Sequence, residues 1–194
     1  MIDIVELRRA VPTDAPFLHA VRAEQAAGRF QPLRPYTEQQ LSKVIESRCI
    51  VPLDEHLDGK VQWAILADDR LAGWISLDVT SREHAIGGVG YTVSEAFHGR
   101  RVASRALRLV VEIAFAPTQV NLERLEAVVA IENIASRRVL EDAGFTREGT
   151  ARGLLRIHGI RIDHYRYALL RADRVVHEPS TGHSVNTRKD IPSS

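Results

Sequence analysis

The sequence predicts a mixed α/β fold of the α+β kind, with about seven strands in a mostly antiparallel sheet and four helices. Three observations carry this. Seven short runs are apolar or alternate with period two, and four longer stretches carry helical periodicity or helix-start signals. A strand, helix, strand succession over residues 87–129 demands a parallel pair, whereas hairpins towards both ends demand antiparallel pairing, so the sheet must be mixed.

Residues 5–10 alternate and form the first strand, and Pro12-Thr13-Asp14-Ala15-Pro16 opens a helix with Thr13 as its N-cap, running to about Ala27. Residues 28–36, with two prolines and two aromatics, form a loop. Thr37-Glu38-Gln39-Gln40 has the capping-box pattern and starts a second helix that ends near Arg48. Apolar runs at 61–67 and 71–79 flank Asp68-Asp69-Arg70 and read as a hairpin, with Trp63 and Trp74 in the core or on a sheet face. A fourth strand covers 85–93, and the helix that follows continues to Phe115 before Pro117 stops it. Residues 125–129 form the fifth strand. The helix at 133–143 closes on Gly144, a suitable left-handed cap, and two further strands cover 145–155 and 160–169. Residues 1–175 are therefore expected to form one domain, with 176–194 a flexible tail lacking sustained periodicity.

Composition narrows the function. The chain has 194 residues, 26 basic against 25 acidic, so a general nucleic-acid-binding surface is not indicated and any basic feature must be local. Its one cysteine excludes an internal disulfide, and no signal peptide or long apolar run is evident, which points to the cytoplasm and away from a membrane. Cys49 itself reads as a small buried apolar residue. The eight histidines are scattered and suggest no metal site.

The local basic feature is the stretch from Tyr91 through Gly99-Arg100-Arg101 to Leu107. The period switches from strand to helix after Gly99, and Val102, Ala106, Leu109, Val110 and Ile113 recur at helical offsets. A helix N-terminus offers unpaired N–H groups and about half a positive charge. Arg100, Arg101 and Arg105 add charge of the sign that the dipole disfavours, so the turn calls for an anion such as phosphate.

This motif, with the separate Leu125-Glu126-Ala127 through Asn133-Ile134-Ala135-Ser136-Arg137-Arg138 to Ala143-Gly144-Phe145, resembles the GCN5-related N-acetyltransferase (GNAT) superfamily. The likeness is to its branch of ribosomal-protein N-terminal acetyltransferases. Leu7-Arg8 and Gly159 with Asp163 and Tyr167 extend it over about residues 4–172. The resemblance implies a splayed parallel pair at strands four and five that holds acetyl-coenzyme A as acyl donor. The pyrophosphate would lie on His98, Gly99, Arg100, Arg101, Val102, Ala103 and Ser104, and pantetheine along Tyr91, Thr92 and Val93, where a backbone N–H could stabilise an oxyanion. Asn133 would contact pantetheine, although alone it reads as a helix cap. Ser136 would protonate the leaving thiolate, a modest help for a thiol of pKa about 8.5. The tyrosine that many members use for this step has no counterpart at Gly144-Phe145.

One departure stands out. Arg101 replaces the usual middle glycine of the turn. Either it adopts a strained positive φ, or its backbone is ordinary helix and its guanidinium pairs with phosphate; the second is favoured, since Gly99 can absorb the turn. The carboxylate bases of related enzymes are also missing, their places taken by Gly88 and Leu155, which leaves Glu83, His84, Glu132, Asp163 and His164 as candidates. At pH 7 an α-amine of pKa about 7.8 is roughly 10–20% neutral and a lysine amine about 0.04%, so a weakly equipped site suits α-amines. The expected activity is N-acetylation of a protein or peptide N-terminus, by a monomer or homodimer. The alternatives are acetylation of a polyamine, aminoglycoside or amino-acid-like toxin, and a non-catalytic acyl-coenzyme A-binding regulatory domain.

Overall fold

The computed structural model describes residues 4–49 and 51–174. Residues 176–194, read as a tail, lie outside the described residues. The strands are β1 (Val5–Arg9), β2 (Gly59–Ala67), β3 (Arg70–Ser81), β4 (Ile86–Val93), β5 (Arg124–Ala130), β6 (Thr146–Ile157) and β7 (Ile160–Leu170), and the helices are α1 (Ala15–Ala23), α2 (Gln25–Phe30), α3 (Glu38–Cys49), α4 (Val102–Phe115) and α5 (Ile134–Asp142). They build one seven-stranded sheet in the order β1-β2-β3-β4-β5-β7-β6, antiparallel except for β4 and β5.

Both tight hairpins have the turn chemistry a right-twisted ribbon needs. Asp68 and Asp69 (φ 49° and 61°) join β2 to β3, and His158 and Gly159 (φ 48° and 81°) join β6 to β7, so each two-residue loop has positive φ throughout. Thr37 and Gln40 form the capping box, the Gln40 N–H donating to Thr37 Oγ1 at 3.2 Å and the Thr37 N–H to Gln40 Oε1 at 2.9 Å. Gly144 (φ 90°) ends α5, where the Phe145 N–H returns to the Leu140 carbonyl at 3.0 Å.

The first helix differs from expectation at both ends. Thr13 is not the cap: a 3-10 turn covers Pro12–Asp14, and the Asp14 carboxylate takes the Val11 N–H at 2.9 Å. The helix also does not reach Ala27 unbroken, because Glu24 is extended (ψ 144°) and separates α1 from α2. The break lets Glu24 accept hydrogen bonds from Ser94 Oγ (2.7 Å) and the Glu95 N–H (2.8 Å), just beyond β4, while Glu95 accepts the Ala26 N–H at 2.8 Å. Each carboxylate caps backbone on the other's segment, which offsets the lost helical bonds.

The helices divide between the two sheet faces. Leu18, Leu41 and Ile45 of α1 and α3 form a small apolar cluster that Trp74 joins. On the other face Val102, Ala106, Leu107, Val110 and Ala114 of α4 meet Trp63, Ile65, Ile75 and Leu77 in the main core. Burying each large side chain there contributes roughly 1.5–3 kcal/mol over leaving it exposed. Leu109, read as part of this stripe, is turned outward, and Cys49 is only half-buried.

Candidate active site at the β4–β5 gap

β4 and β5 stay paired for three positions only, Ile86 with Arg124, Gly87 with Leu125 and Gly88 with Glu126. Beyond Gly88 they diverge, leaving an open edge on each. The Ser94 N–H donates to Ala72 at 2.8 Å, so antiparallel alternation aims the even-numbered amides of β4 at β3 and those of Val89, Tyr91 and Val93 into the gap. Two of the freed carbonyls have partners from this chain. Gln31 Nε2 donates to the Tyr91 carbonyl (3.0 Å), and His98 Nε2 lies 2.9 Å from the Val93 carbonyl, which requires the proton on that nitrogen. Each carbonyl keeps a second lone pair for a ligand amide.

Gly73 sets how closely β3 follows this edge. A Cβ there would lie 2.1 Å from the Thr92 oxygen and 2.9 Å from the Val93 Cα, so only glycine admits the pinch.

Past β4 the chain makes a 3-10 turn at Glu95–Phe97, then Gly99 (φ 75°), and α4 begins at Val102. Arg101 stands in left-handed conformation (φ 59°, ψ 19°), which corrects the expectation of ordinary helical backbone there. Gly99 does not absorb the turn alone; two positive-φ residues are needed to swing the chain from the sheet into α4. A non-glycine residue held this way costs about 1–2 kcal/mol, and such strain collects at ligand clamps. The Arg105 N–H is the first to close on the helix, reaching the Arg101 carbonyl at 3.1 Å. The N–H groups of Val102, Ala103 and Ser104 therefore form the open first turn, while the Val102 side chain is buried in the core. Arg100 lies 3.6 Å from Asp68 and 5.0 Å over the Phe97 ring, so its charge is partly answered.

Across the gap, Asn133 caps α5: its Oδ1 accepts the Ser136 N–H at 3.1 Å. Ser136 Oγ lies 2.9 Å from the Tyr91 hydroxyl, which also reaches the Ser136 carbonyl at 3.2 Å. Burial pushes the Tyr91 hydroxyl up to about 12, with the Ser136 hydrogen bond opposing it, so the phenol is protonated at neutral pH. The family resemblance marks Tyr91 only as a pantetheine contact and does not bring its hydroxyl to Ser136. The available signal was parity, since odd-numbered positions of β4 face α4 and α5.

Thr92, on the opposite face, donates to Gln31 Oε1 at 2.9 Å. His164 shares that face: it pairs with Ala130, whose even-numbered neighbour Glu126 pairs with Gly88. His164 is buried with Nδ1 2.8 Å from the Ile162 carbonyl, which places the proton of a neutral ring on Nδ1 and leaves Nε2 as acceptor. The other candidate bases are placed differently. Glu83 and His84 lie in the β3–β4 turn at the closed end of the pair, Glu132 is exposed, and Asp163 accepts the Gly153 N–H at 2.6 Å. Among the described residues no group of three or more His, Cys, Asp or Glu could hold a metal ion.

The family model for the acetyltransferase (GNAT) domain matches residues 5–146, from β1 to the start of β6. The chain belongs to the GNAT acetyltransferase family. A probable N-acetyltransferase of Bacillus subtilis, YjcK, is 40% identical over 108 residues, 55% of this chain and 59% of that protein. An uncharacterized N-acetyltransferase of Bacillus licheniformis, p20, is 26% identical over 172 residues, 86% of this chain and 93% of that one. The match to YjcK, like that to the putative ribosomal N-acetyltransferase YdaF of Bacillus subtilis (61%), spans about three fifths of the relative's length.

Solved GNAT structures share the fold. Mycobacterium smegmatis RimJ in complex with CoA-disulfide superposes with a TM-score of 0.75 at 24% identity, covering 87% of this chain and 83% of that one. Spermidine N-acetyltransferase from Vibrio cholerae with CoA and spermine has the same score at 19% identity, covering 87% and 96%. Among the described residues no helix is long and apolar enough to cross a membrane.

Proposed function

We propose that the protein is an acetyl-coenzyme A-dependent N-acetyltransferase acting on a primary amine, the α-amine of a protein or peptide N-terminus. The observation that carries this is the gap itself, an open strand edge ending on a strained cradle of helix N–H groups, with a hydroxyl pair on its far side.

The residues present fit acetyl-coenzyme A. The N–H groups of Val102, Ala103 and Ser104, with the turn of His98, Gly99, Arg100 and Arg101, would hold the pyrophosphate. The gap-facing amides of Tyr91 and Val93 would pair with pantetheine beside Thr92, and Asn133, whose Oδ1 serves α5, retains its amide N–H donors for the same arm. When bound, acetyl-coenzyme A supplies an acyl group activated as a thioester. The Val93 N–H, aimed into the gap, would be the donor available to an oxyanion on a bound thioester. The Ser136 and Tyr91 hydroxyls would hold a proton for the thiolate that the bound thioester would release, and His164, on the opposite sheet face, keeps Nε2 as an acceptor.

The acceptor class is where solved relatives diverge: one is named as a ribosomal L7/L12 α-N-protein acetyltransferase and another as a spermidine acetyltransferase. The proton balance favours an α-amine, because far more of an amine of pKa about 7.8 than of one near 10.4 is already neutral at pH 7 and needs no base. The test is thiol release from acetyl-coenzyme A against N-terminal peptides, polyamines and aminoglycosides. Turnover of peptides is the expected result; turnover of polyamines alone reassigns the acceptor, and none at all with intact coenzyme A binding favours a regulatory acyl-coenzyme A-binding domain.

A further inference from the structure

A cavity of about 400 Å³ opens between α1, the loop 31–36, α3 and the face of β2 and β3 that these helices cover. Its walls carry Arg22, Arg34, Arg48 and Lys60 and no aspartate or glutamate. Asp78, nearby, is held by Lys60 at 2.9 Å, so the imbalance rests on the three guanidiniums.

Two of these are fixed in place. Arg22 donates to the Arg34 carbonyl at 2.7 Å and lies 5.4 Å and 5.9 Å from the Tyr36 and Trp74 ring centroids. Arg48 donates to Gln62 Oε1 at 2.7 Å, which occupies one of its five donors. Burial lowers the pKa of both, opposed by Tyr36 at each and by Asp78 at Arg48, while the charge of Arg48 lowers that of Arg22 further. Guanidiniums remain charged nonetheless, so bringing them together in a half-buried cavity is unfavourable until an anion enters.

The cavity adjoins the gap. Trp74 pairs directly with Thr92 across β3 and β4, and Gln31, whose side chain binds Thr92 and the Tyr91 carbonyl, immediately precedes Pro32 and Leu33 of the cavity wall. Lys60 and Gln62 lie on β2, two strands or about 10 Å from β4.

We propose that this cavity is an anion subsite for the acceptor: it takes a carboxylate carried about 10 Å from the reacting nitrogen, selecting peptides with an acidic residue at position two or three and rejecting polyamines. Two residues of extended chain reach about 7 Å, and a glutamate side chain supplies the rest. This rests on the amine-acetylation reading above.

The test is calorimetric titration of the coenzyme A-loaded protein with matched peptides beginning Ala-Glu, Ala-Gln and Ala-Lys, alongside free glutamate and spermidine. The Ala-Glu peptide should bind at least tenfold more tightly than Ala-Gln, with Ala-Lys and spermidine weakest and the preference shrinking in high salt. Arg48→Gln and the exposed Arg34→Gln should each move the Glu-to-Gln ratio towards one; should Arg48→Gln fail to fold, Arg34→Gln decides. Free glutamate binding as tightly as Ala-Glu would make the ligand a small amino acid and overturn the peptide assignment. Equal affinities across the three peptides, or preference for spermidine, would overturn the subsite. Because binding is read without turnover, charge-selective binding with no thiol release would sink the enzymatic reading and leave the subsite standing.

Discussion

The Tyr91 and Ser136 hydroxyls stand 2.9 Å apart and join β4 to α5 across the gap that β4 and β5 leave open. Two hydroxyls in contact can relay one proton, so they should behave as a unit. Tyr91→Phe and Ser136→Ala should each lower kcat by about 10–100-fold with little change in KM for acetyl-coenzyme A, and the double variant should be hardly worse than either single one. Steady-state kinetics on the three variants checks this; multiplicative losses would show that the hydroxyls act separately.

Tyr91 also predicts a pH dependence of stability. Its folded value of about 12 lies above the unfolded value near 10, so its contribution is complete below pH 10 and is lost as pH rises through 12. The stability difference between wild type and Tyr91→Phe should therefore shrink between pH 10 and 12. Urea unfolding at several alkaline pH values measures it, and a constant difference would contradict the burial of the phenol.

Arg101 separates backbone from side chain. Arg101→Gly and Arg101→Ala both remove the guanidinium and should raise KM for acetyl-coenzyme A alike. Only glycine tolerates φ 59° without strain, so Arg101→Gly should be more stable than Arg101→Ala by about 1 kcal/mol. Equal melting temperatures would mean that the turn relaxes to another conformation in the variants.

Gly73→Ala should lose about 1–3 kcal/mol, because its Cβ would enter backbone rather than a side chain that can move aside. Since that backbone is the gap edge, coenzyme A affinity should fall as well. Gly28→Ala is the control: no atom lies within 4 Å of its Cβ and it sits inside α2, so the change should stabilise by about 0.5–1 kcal/mol. Denaturant melts and calorimetry on the pair would test both.

The hairpins, the capping box at Thr37 and the Gly144 stop were readable because local chemistry decides them. The break at Glu24 was not, since Leu18, Val21 and Ala27 continue a helical stripe across it and the interruption serves contacts with Ser94 and Glu95, some 70 residues away. The left-handed Arg101 was one of two readings open at a position where a glycine is usual, and the reading preferred was the wrong one, because the geometry between β4 and α4 decides it. Asn133 as the cap of α5 was legible from its residue type, while Ser136 stood out only as a position in a motif. The contact of the Tyr91 hydroxyl with Ser136 was not legible, because its partner lies 45 residues on and only the pleat of the folded strand turns it there.

Gln31 ties these observations together. One amide group grips the Tyr91 carbonyl and the Thr92 hydroxyl while its own backbone carries the wall of the cationic cavity. A change at that one side chain, such as Gln31→Ala, therefore reaches the β4 edge of the gap and the loop beside the cavity together.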